Sequence, residues 1–255
     1  MSTVLITGSA DGLGAMAARR LVADGHEVVL HARSAQRAEQ ALAAVPGAAA
    51  SLHGDLSSIE QIRGVAQQAN AHGAFDAVIH NAGVGYRERR RVETVDSLSH
   101  LFAINVLAPY LLTSLIALPK RLVYLSSGMH RGGDPSPDDL QWSQRRWQGA
   151  QAYSDSKLWD TVLALAVARR HPELLSNAVE PGWVATKMGG TGAPDDLRRG
   201  DETQAWLAVS DDPAAIVSGR LFYHLRPTDP HPAASDPAVQ DGLLDACRRL
   251  TGETI

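Results

Sequence analysis

The first half of the chain alternates short apolar runs with longer stretches of helical period. Thr3-Val4-Leu5-Ile6-Thr7 reads as a buried strand, followed by a glycine-rich turn and a helix expected from about Gly14 to Asp24. Val28-Val29-Leu30 predicts a second strand, and Ala35 to Ala44 an alanine-rich helix. Ala49 to His53 gives a third strand; the next helix, capped by Ser57 or Ser58, runs to about Asn70. Ala77 to His80 and Leu122 to Leu125 predict two more buried strands, with a long helix containing Pro109 between them, from about Val95 to Leu118. A later strand is expected over Ser176 to Glu180. Strands alternating with helices predict a parallel sheet covered on both faces, and right-handed crossovers make it a Rossmann-type, doubly wound α/β fold. Two stretches break the alternation, 128–149 and 187–199, and both read as excursions over a single domain spanning 1–255.

Composition narrows the function classes. With 255 residues and 44% hydrophobic content, the chain can bury a large core. A net charge of -4 offers no electrostatic case for nucleic acid or an anionic membrane. Cys247 is the only cysteine and the ten histidines are scattered, so neither a disulfide nor a metal site is expected. No apolar run reaches the roughly 20 residues that cross a bilayer. A strand starting at Thr3 leaves no room for a secretory leader, which makes a cytoplasmic location the expectation.

The chemistry begins at the first turn. Gly8-Ser9-Ala10-Asp11-Gly12-Leu13-Gly14 joins a strand to a helix. Gly8 permits a tight turn, Gly12 lets backbone approach a pyrophosphate, and Gly14 lets helix and strand pack closely. The helix N-terminus adds free N–H groups and the positive end of its dipole.

The second signal is Tyr153-Ser154-Asp155-Ser156-Lys157. Spacing of i and i+4 puts the phenol and the ammonium on one helical face. With five tyrosines and three lysines in the chain, a chance pair at this spacing is unexpected. A tyrosine acting as acid and base needs its pKa of about 10 brought toward neutrality, and a neighbouring ammonium favours the phenolate.

Together, Thr7-Gly8-x3-Gly12-x-Gly14, Asp55-Leu56, Asn81-Ala82-Gly83, Asn105, Ser126-Ser127, Tyr153-x3-Lys157 and Pro181-Gly182-Trp183-Val184-Ala185-Thr186 follow one another in a known order. The sequence resembles the short-chain dehydrogenase/reductase family, most closely its carbonyl-reductase-like and retinol-dehydrogenase-like members. The resemblance implies an oxidoreductase that moves hydride between a nicotinamide and a small-molecule carbonyl or alcohol. It implies that Tyr153 is the general acid/base and that Ser127 holds the substrate oxygen. Lys157 would tune Tyr153 and grip the nicotinamide ribose, and Asn105 would serve a proton relay behind the lysine. By the same resemblance Ser9 and Leu13 belong to the phosphate turn, and Asp55 with Leu56 meets the adenine. Asn81, Ala82 and Gly83 line the cofactor cleft; Pro181, Gly182, Val184 and Thr186 reach the nicotinamide.

The second predicted strand ends His31-Ala32-Arg33-Ser34, without the carboxylate that would bind an NAD ribose hydroxyl. Arg33 suits a 2′-phosphate, which favours NADP over NAD, while Asp11 in the turn argues against the extra phosphate. The spacing of 26 positions from Ser127 to Tyr153 is long for the family; the link either covers a substrate or is a surface loop pinned by Trp142 and Trp147. Such an insertion bears on assembly and leaves monomer and homo-oligomer both open. The stretch 187–199 reads as a substrate lid or as a plain loop, and Arg87 to Arg91 as a solvated face. Trp183, Met188 and the insertion tryptophans point to an apolar substrate. Two other functions are weighed: a cofactor-sensing regulator on the same fold, and a sugar-nucleotide epimerase or dehydratase.

Overall fold

Seven parallel strands and one antiparallel edge strand form the centre of the computed structural model, which describes Met1 to Ile255. In chain order the elements are β1 (Thr3–Ile6), α1 (Gly12–Ala23), β2 (Glu27–Ala32), α2 (Ala35–Ala44), β3 (Ala50–His53), α3 (Ile59–His72) and β4 (Ala77–His80). There follow α4 (His100–Phe102), a π-helical turn at Ala103–Leu107, α5 (Ala108–Leu115), β5 (Arg121–Leu125), α6 (Gly149–Arg170) and β6 (Leu175–Glu180). The chain closes with α7 (Glu202–Val209), β7 (Leu221–Tyr223), β8 (Arg226–Thr228) and α8 (Pro237–Thr251). The strand order is β3-β2-β1-β4-β5-β6-β7-β8, with only β7 and β8 antiparallel. The Rossmann-type expectation holds, and the order reverses between β1 and β4, opening a crevice beyond their carboxyl ends.

Both faces of the sheet are covered, which is why the strands read as continuous apolar runs. Val4, Ile6, Val28 and Leu30 pack under α1, α2 and α7. Leu5, Val29, Val78 and Leu122 face the other layer with α3, α5, α6 and α8. Ser34 caps α2 by accepting from the Arg37 N–H at 3.4 Å, and Ser58 caps α3 by accepting from Gln61 at 3.4 Å. Helix α6 is buried from Ala152 to Val167, because α8 and the turn Pro232–Ser235 cover the side turned away from the sheet.

The helix expected from Val95 to Leu118 is shorter, running from His100 to Leu115 in three parts. Thr94 to Ser97 make a turn instead, with Ser97 at φ 61° and an isolated bridge between Glu93 and Ser99. Asp96 accepts from the Ile59 N–H at 2.7 Å, a tertiary bond that holds this turn at the start of α3. Pro109 has no N–H to return to the Asn105 carbonyl, and the helix widens into the π turn just before it.

Candidate active site

The turn at the end of β1 is set by two glycines. Gly8 has φ 62°, and a Cβ there would lie 2.8 Å from the Ala82 Cα, so β1 and the loop after β4 could not approach as they do. A Cβ on Gly14 would meet the Gly8 carbonyl at 2.8 Å and the Asn81 amide. Asn81 then ties the two strands together, donating to the carbonyls of Thr7 at 2.9 Å and Gly8 at 3.1 Å. The Thr7 hydroxyl accepts from the Ala82 N–H at 3.0 Å.

A histidine absent from the sequence-based site completes the turn. His31 is fully buried; its Nδ1 accepts from the Gly8 N–H at 3.1 Å and its Nε2 bonds the Gly54 carbonyl at 3.0 Å. That pairing requires the neutral ring with its proton on Nε2. Burial lowers its pKa to about 4, only partly opposed by the bond to Gly54, so the ring stays neutral near pH 7. No spacing rule would have singled it out.

One cavity of about 900 Å³ opens along the carboxyl ends of the strands. Of the residues singled out in the sequence, Gly8, Asp11, Gly12, Leu13, Arg33, Asp55, Leu56, Asn81, Ala82, Gly83, Tyr153, Lys157, Pro181 and Thr186 line it. Six others do not. Ser9 is fully buried, donating to the Ile6 carbonyl at 2.9 Å and accepting from the His31 N–H at 2.9 Å. Gly14 lies behind the turn, and a Cβ on Gly182 would point at the Asp195 carboxylate. Val184 is buried beneath Gly189. Asn105 faces the loop after β4, bonding Val84 N–H at 2.8 Å, Val84 O at 3.0 Å and Ser156 Oγ at 3.0 Å. Ser127 is half-buried just past β5, its hydroxyl accepting from the Met129 N–H at 3.2 Å. His130 steadies that serine's backbone: Nδ1 donates to Ser127 O at 2.7 Å while Nε2 accepts from His231 N–H at 3.3 Å.

Arg19 and Arg37 also line the cavity and were not foreseen in it, as do Lys187 and Met188 from the stretch read as a substrate lid or a plain loop. Arg37 stands in the first turn of α2, four residues after Arg33. Asp11 is held between two cations, Lys187 at 2.8 Å and Arg37 at 3.2 Å. The Lys187 hydrogen bond is the main cause of its lowered pKa.

At the other end of the cavity, Tyr153 packs in a cluster with Leu101, Trp142 and Ala152, bordered by Tyr86, Trp147 and Met188. The Tyr86 ring meets Tyr153 edge-on at 5.7 Å, and the Tyr153 hydroxyl lies 3.8 Å from the Met188 sulfur. Lys157, 4% exposed, donates to the Leu125 carbonyl and to Asp160 Oδ2 at 3.2 Å.

The insertion 128–149 is fastened rather than loose. Asp155 on α6 accepts four bonds, from Asp134 N–H at 2.9 Å, Trp142 Nε1 at 3.1 Å, Arg145 at 3.1 Å and Gln151 at 2.8 Å. The Arg145 guanidinium lies 3.9 Å over the Trp142 ring. Gln141 and Trp147 bond the segment before α4, through Arg91, Ser99 and the Glu88 carbonyl. No residue of the insertion lines the cavity; its tryptophans pack behind the wall that carries Tyr153. Arg87, Arg89 and Arg90 are solvated as expected, whereas Glu88 and Arg91 are tied into this lattice. The second excursion is different, since Lys187, Met188 and Leu197 do line the cavity.

A doubly wound sheet whose glycine turn shares a cavity with a helical Tyr-x3-Lys pair defines a class of nucleotide-dependent oxidoreductases. Residues 2–127 match the family model described as short chain dehydrogenase. An uncharacterized oxidoreductase of Emericella nidulans is 44% identical over 99% of this chain and 98% of its own length. The short-chain dehydrogenase chyC of Penicillium rubens is 40% identical over 99% and 98%. A solved structure of a protein from Mycobacterium paratuberculosis superposes with a TM-score of 0.86 at 27% identity, covering 100% of this chain and 94% of the other. The chain belongs to the short-chain dehydrogenase/reductase family of oxidoreductases. No helix is long and apolar enough to cross a membrane.

Proposed function

We infer that the protein interconverts a ketone or aldehyde and an alcohol with NADP as cofactor, Tyr153 being the proton donor and acceptor. The observation that carries this reading is the single cavity joining the glycine turn to Tyr153 and Lys157. A dinucleotide fits the residues present. A Cβ on Gly12 would meet nothing within 4 Å, so bare backbone faces open space where a pyrophosphate would lie. Arg19, Arg33 and Arg37 line the same end, and Asp11, the carboxylate that would oppose a 2′-phosphate, is paired with Arg37 and Lys187. When bound, the cofactor supplies or accepts the hydride.

The protein's own groups do the rest. Tyr153 would give its hydroxyl proton to the carbonyl oxygen in reduction and take it back in oxidation. Ser127 would donate a hydrogen bond to the same oxygen, its proton being free while its oxygen accepts from the Met129 N–H. Lys157 would hold ribose hydroxyls with the N–H not used on Leu125 and Asp160. Ile104, Leu125 and Met188, which line the cavity with Tyr153, favour an apolar small molecule, which must displace the Met188 sulfur from the hydroxyl.

The test is parallel turnover of NADPH and NADH against small, aromatic and polycyclic ketones and aldehydes, with Tyr153→Phe beside the unaltered protein. We expect NADPH-dependent reduction that falls at least about 1,000-fold in Tyr153→Phe, with cofactor affinity within about twofold. Retained turnover in that variant would remove Tyr153 from proton transfer.

A further inference from the structure

The most unusual group near the cavity is one that no step above uses. Asp160 lies one turn beyond Lys157 on α6 and is 1% exposed. Residues at i and i+3 share a helical face, so the carboxylate follows the ammonium into the interior. Its Oδ2 accepts from Lys157 Nζ at 3.2 Å. Its Oδ1, equally buried, has no hydrogen-bond partner. A carboxylate buried for fold stability would satisfy both oxygens, because an unpartnered one costs free energy. This one has a single protein partner, and that partner lines the cavity.

We propose that Asp160 is a positioning residue: it holds the Lys157 ammonium against the end of β5 and balances its charge. The inference rests on the reading of Lys157 given above. An ammonium has three N–H donors and a flexible four-carbon stem. The Leu125 carbonyl and Asp160 Oδ2 take two of them, which leaves one for the cavity. Without Asp160, a buried cation would rest on one backbone carbonyl and swing about it.

Few other charges reach this spot. Lys157 faces Asp160 from α6, and Tyr124 faces it from β5. Tyr124 bonds Thr113 at 2.8 Å, and Thr113 bonds His80 on β4 at 3.1 Å. Burial pushes the Tyr124 phenol up and the His80 ring down to about 3, so neither changes charge between pH 5 and 8. Asp160 does. Burial raises it to about 6, against the opposing pull of Lys157. Below that pH the carboxyl is neutral and its grip on the ammonium weakens.

The first arm needs no cofactor: carboxyl-carbon NMR of the whole chain labelled at aspartate, with the Asp160 signal assigned by its loss in Asp160→Asn. It should titrate near pH 6, and Lys157→Met should move its midpoint up by about one pH unit or more. An unmoved midpoint overturns the proposal, and this arm stands even if Asp160→Asn does not fold, since the signal that moves between the other two proteins is then identified directly.

The second arm is NADH affinity by fluorescence from pH 5 to 8; NADH lacks the 2′-phosphate that would itself titrate there. The unaltered protein should bind about tenfold more weakly as pH falls through 6, and Asp160→Asn should bind at that weaker level throughout. Parallel profiles for the two proteins overturn the proposal. Absence of nucleotide binding at any pH would count against the proposed function instead, leaving the carboxyl titration to decide the role of Asp160.

Discussion

The two ends of the cavity are built by different means. At the nucleotide end, the wall is mainly backbone. Gly8, Gly12 and the loop after β4 are placed by strand register and by short bonds from Asn81 and Thr7. At the tyrosine end, the wall is held by a lattice of side chains, with Asp155 joined to Trp142 and Arg145, and Trp147 bonded to the Glu88 carbonyl. The two ends therefore differ in how far a substitution would disturb them. Backbone geometry survives most substitutions, whereas a side-chain lattice is rewritten by a few.

The sharpest way to break this contrast is Asp155→Ala. It strands the Trp142 indole N–H and the Asp134 N–H and takes one carboxylate partner from Arg145, and should cost about 3 kcal/mol in chemical denaturation. Limited proteolysis should then cut within 134–147 first, while nucleotide affinity holds. Loss of nucleotide affinity of the same size would show that the two ends are not independent.

A smaller effect tests the nucleotide end. The His31 pKa is lowered to about 4 from an ordinary value of 6.5. An unfolded chain protonates this ring below pH 6.5 but the folded one does not until about 4, so stability is lost as pH falls through that window and is unaffected above it. Moving from pH 7 to 4.5, His31→Gln should lose roughly 2 to 3 kcal/mol less than the unaltered protein. Denaturant titrations at the two pH values make the comparison; equal losses would mean that the ring is already charged in the fold.

The smallest effect lies where the two ends touch. Asp11 in the glycine turn pairs with Lys187 from the second excursion, both partners well exposed. Asp11→Asn should leave stability within about 0.5 kcal/mol, as expected for exposed pairs. Freed from Asp11, Arg37 should raise the ratio of NADPH to NADH affinity about threefold, an increase that added salt suppresses.

How much of this the sequence announced follows the same division. The α2 boundaries, the glycine turn and the Tyr153–Lys157 pair were legible because each rests on a local rule: an alanine-rich run, spaced glycines, a helical spacing. Asn81 came instead from the family resemblance, since it bonds Thr7 far back in the chain. The helix expected from Val95 was too long because Asp96 is drawn to α3, a contact no local pattern carries. Ser9 and Val184 sit in the right motifs but behind the wall, since a motif records position along the chain and not which way a side chain turns. His31, Asp155 and Asp160 were missed as site residues for one reason. A polar residue on a strand or helix shows its purpose only when its partner, distant in sequence or hidden by burial, is known.

Helix α6 has a consequence for motion. It is enclosed from Ala152 to Val167, so it has no wet side along which to fray, and freeing it amounts to unfolding the protein. Tyr153 and Lys157 therefore sit on a helix enclosed by the core. The stretch carrying Lys187 and Met188 is tied by bonds from Lys187 to Asp11, Tyr86 to the Met188 carbonyl and Trp183 to the Gly189 carbonyl, the first and last of them exposed. The lid expected at 187–199 would therefore be the moving part of the cavity and α6 its fixed part.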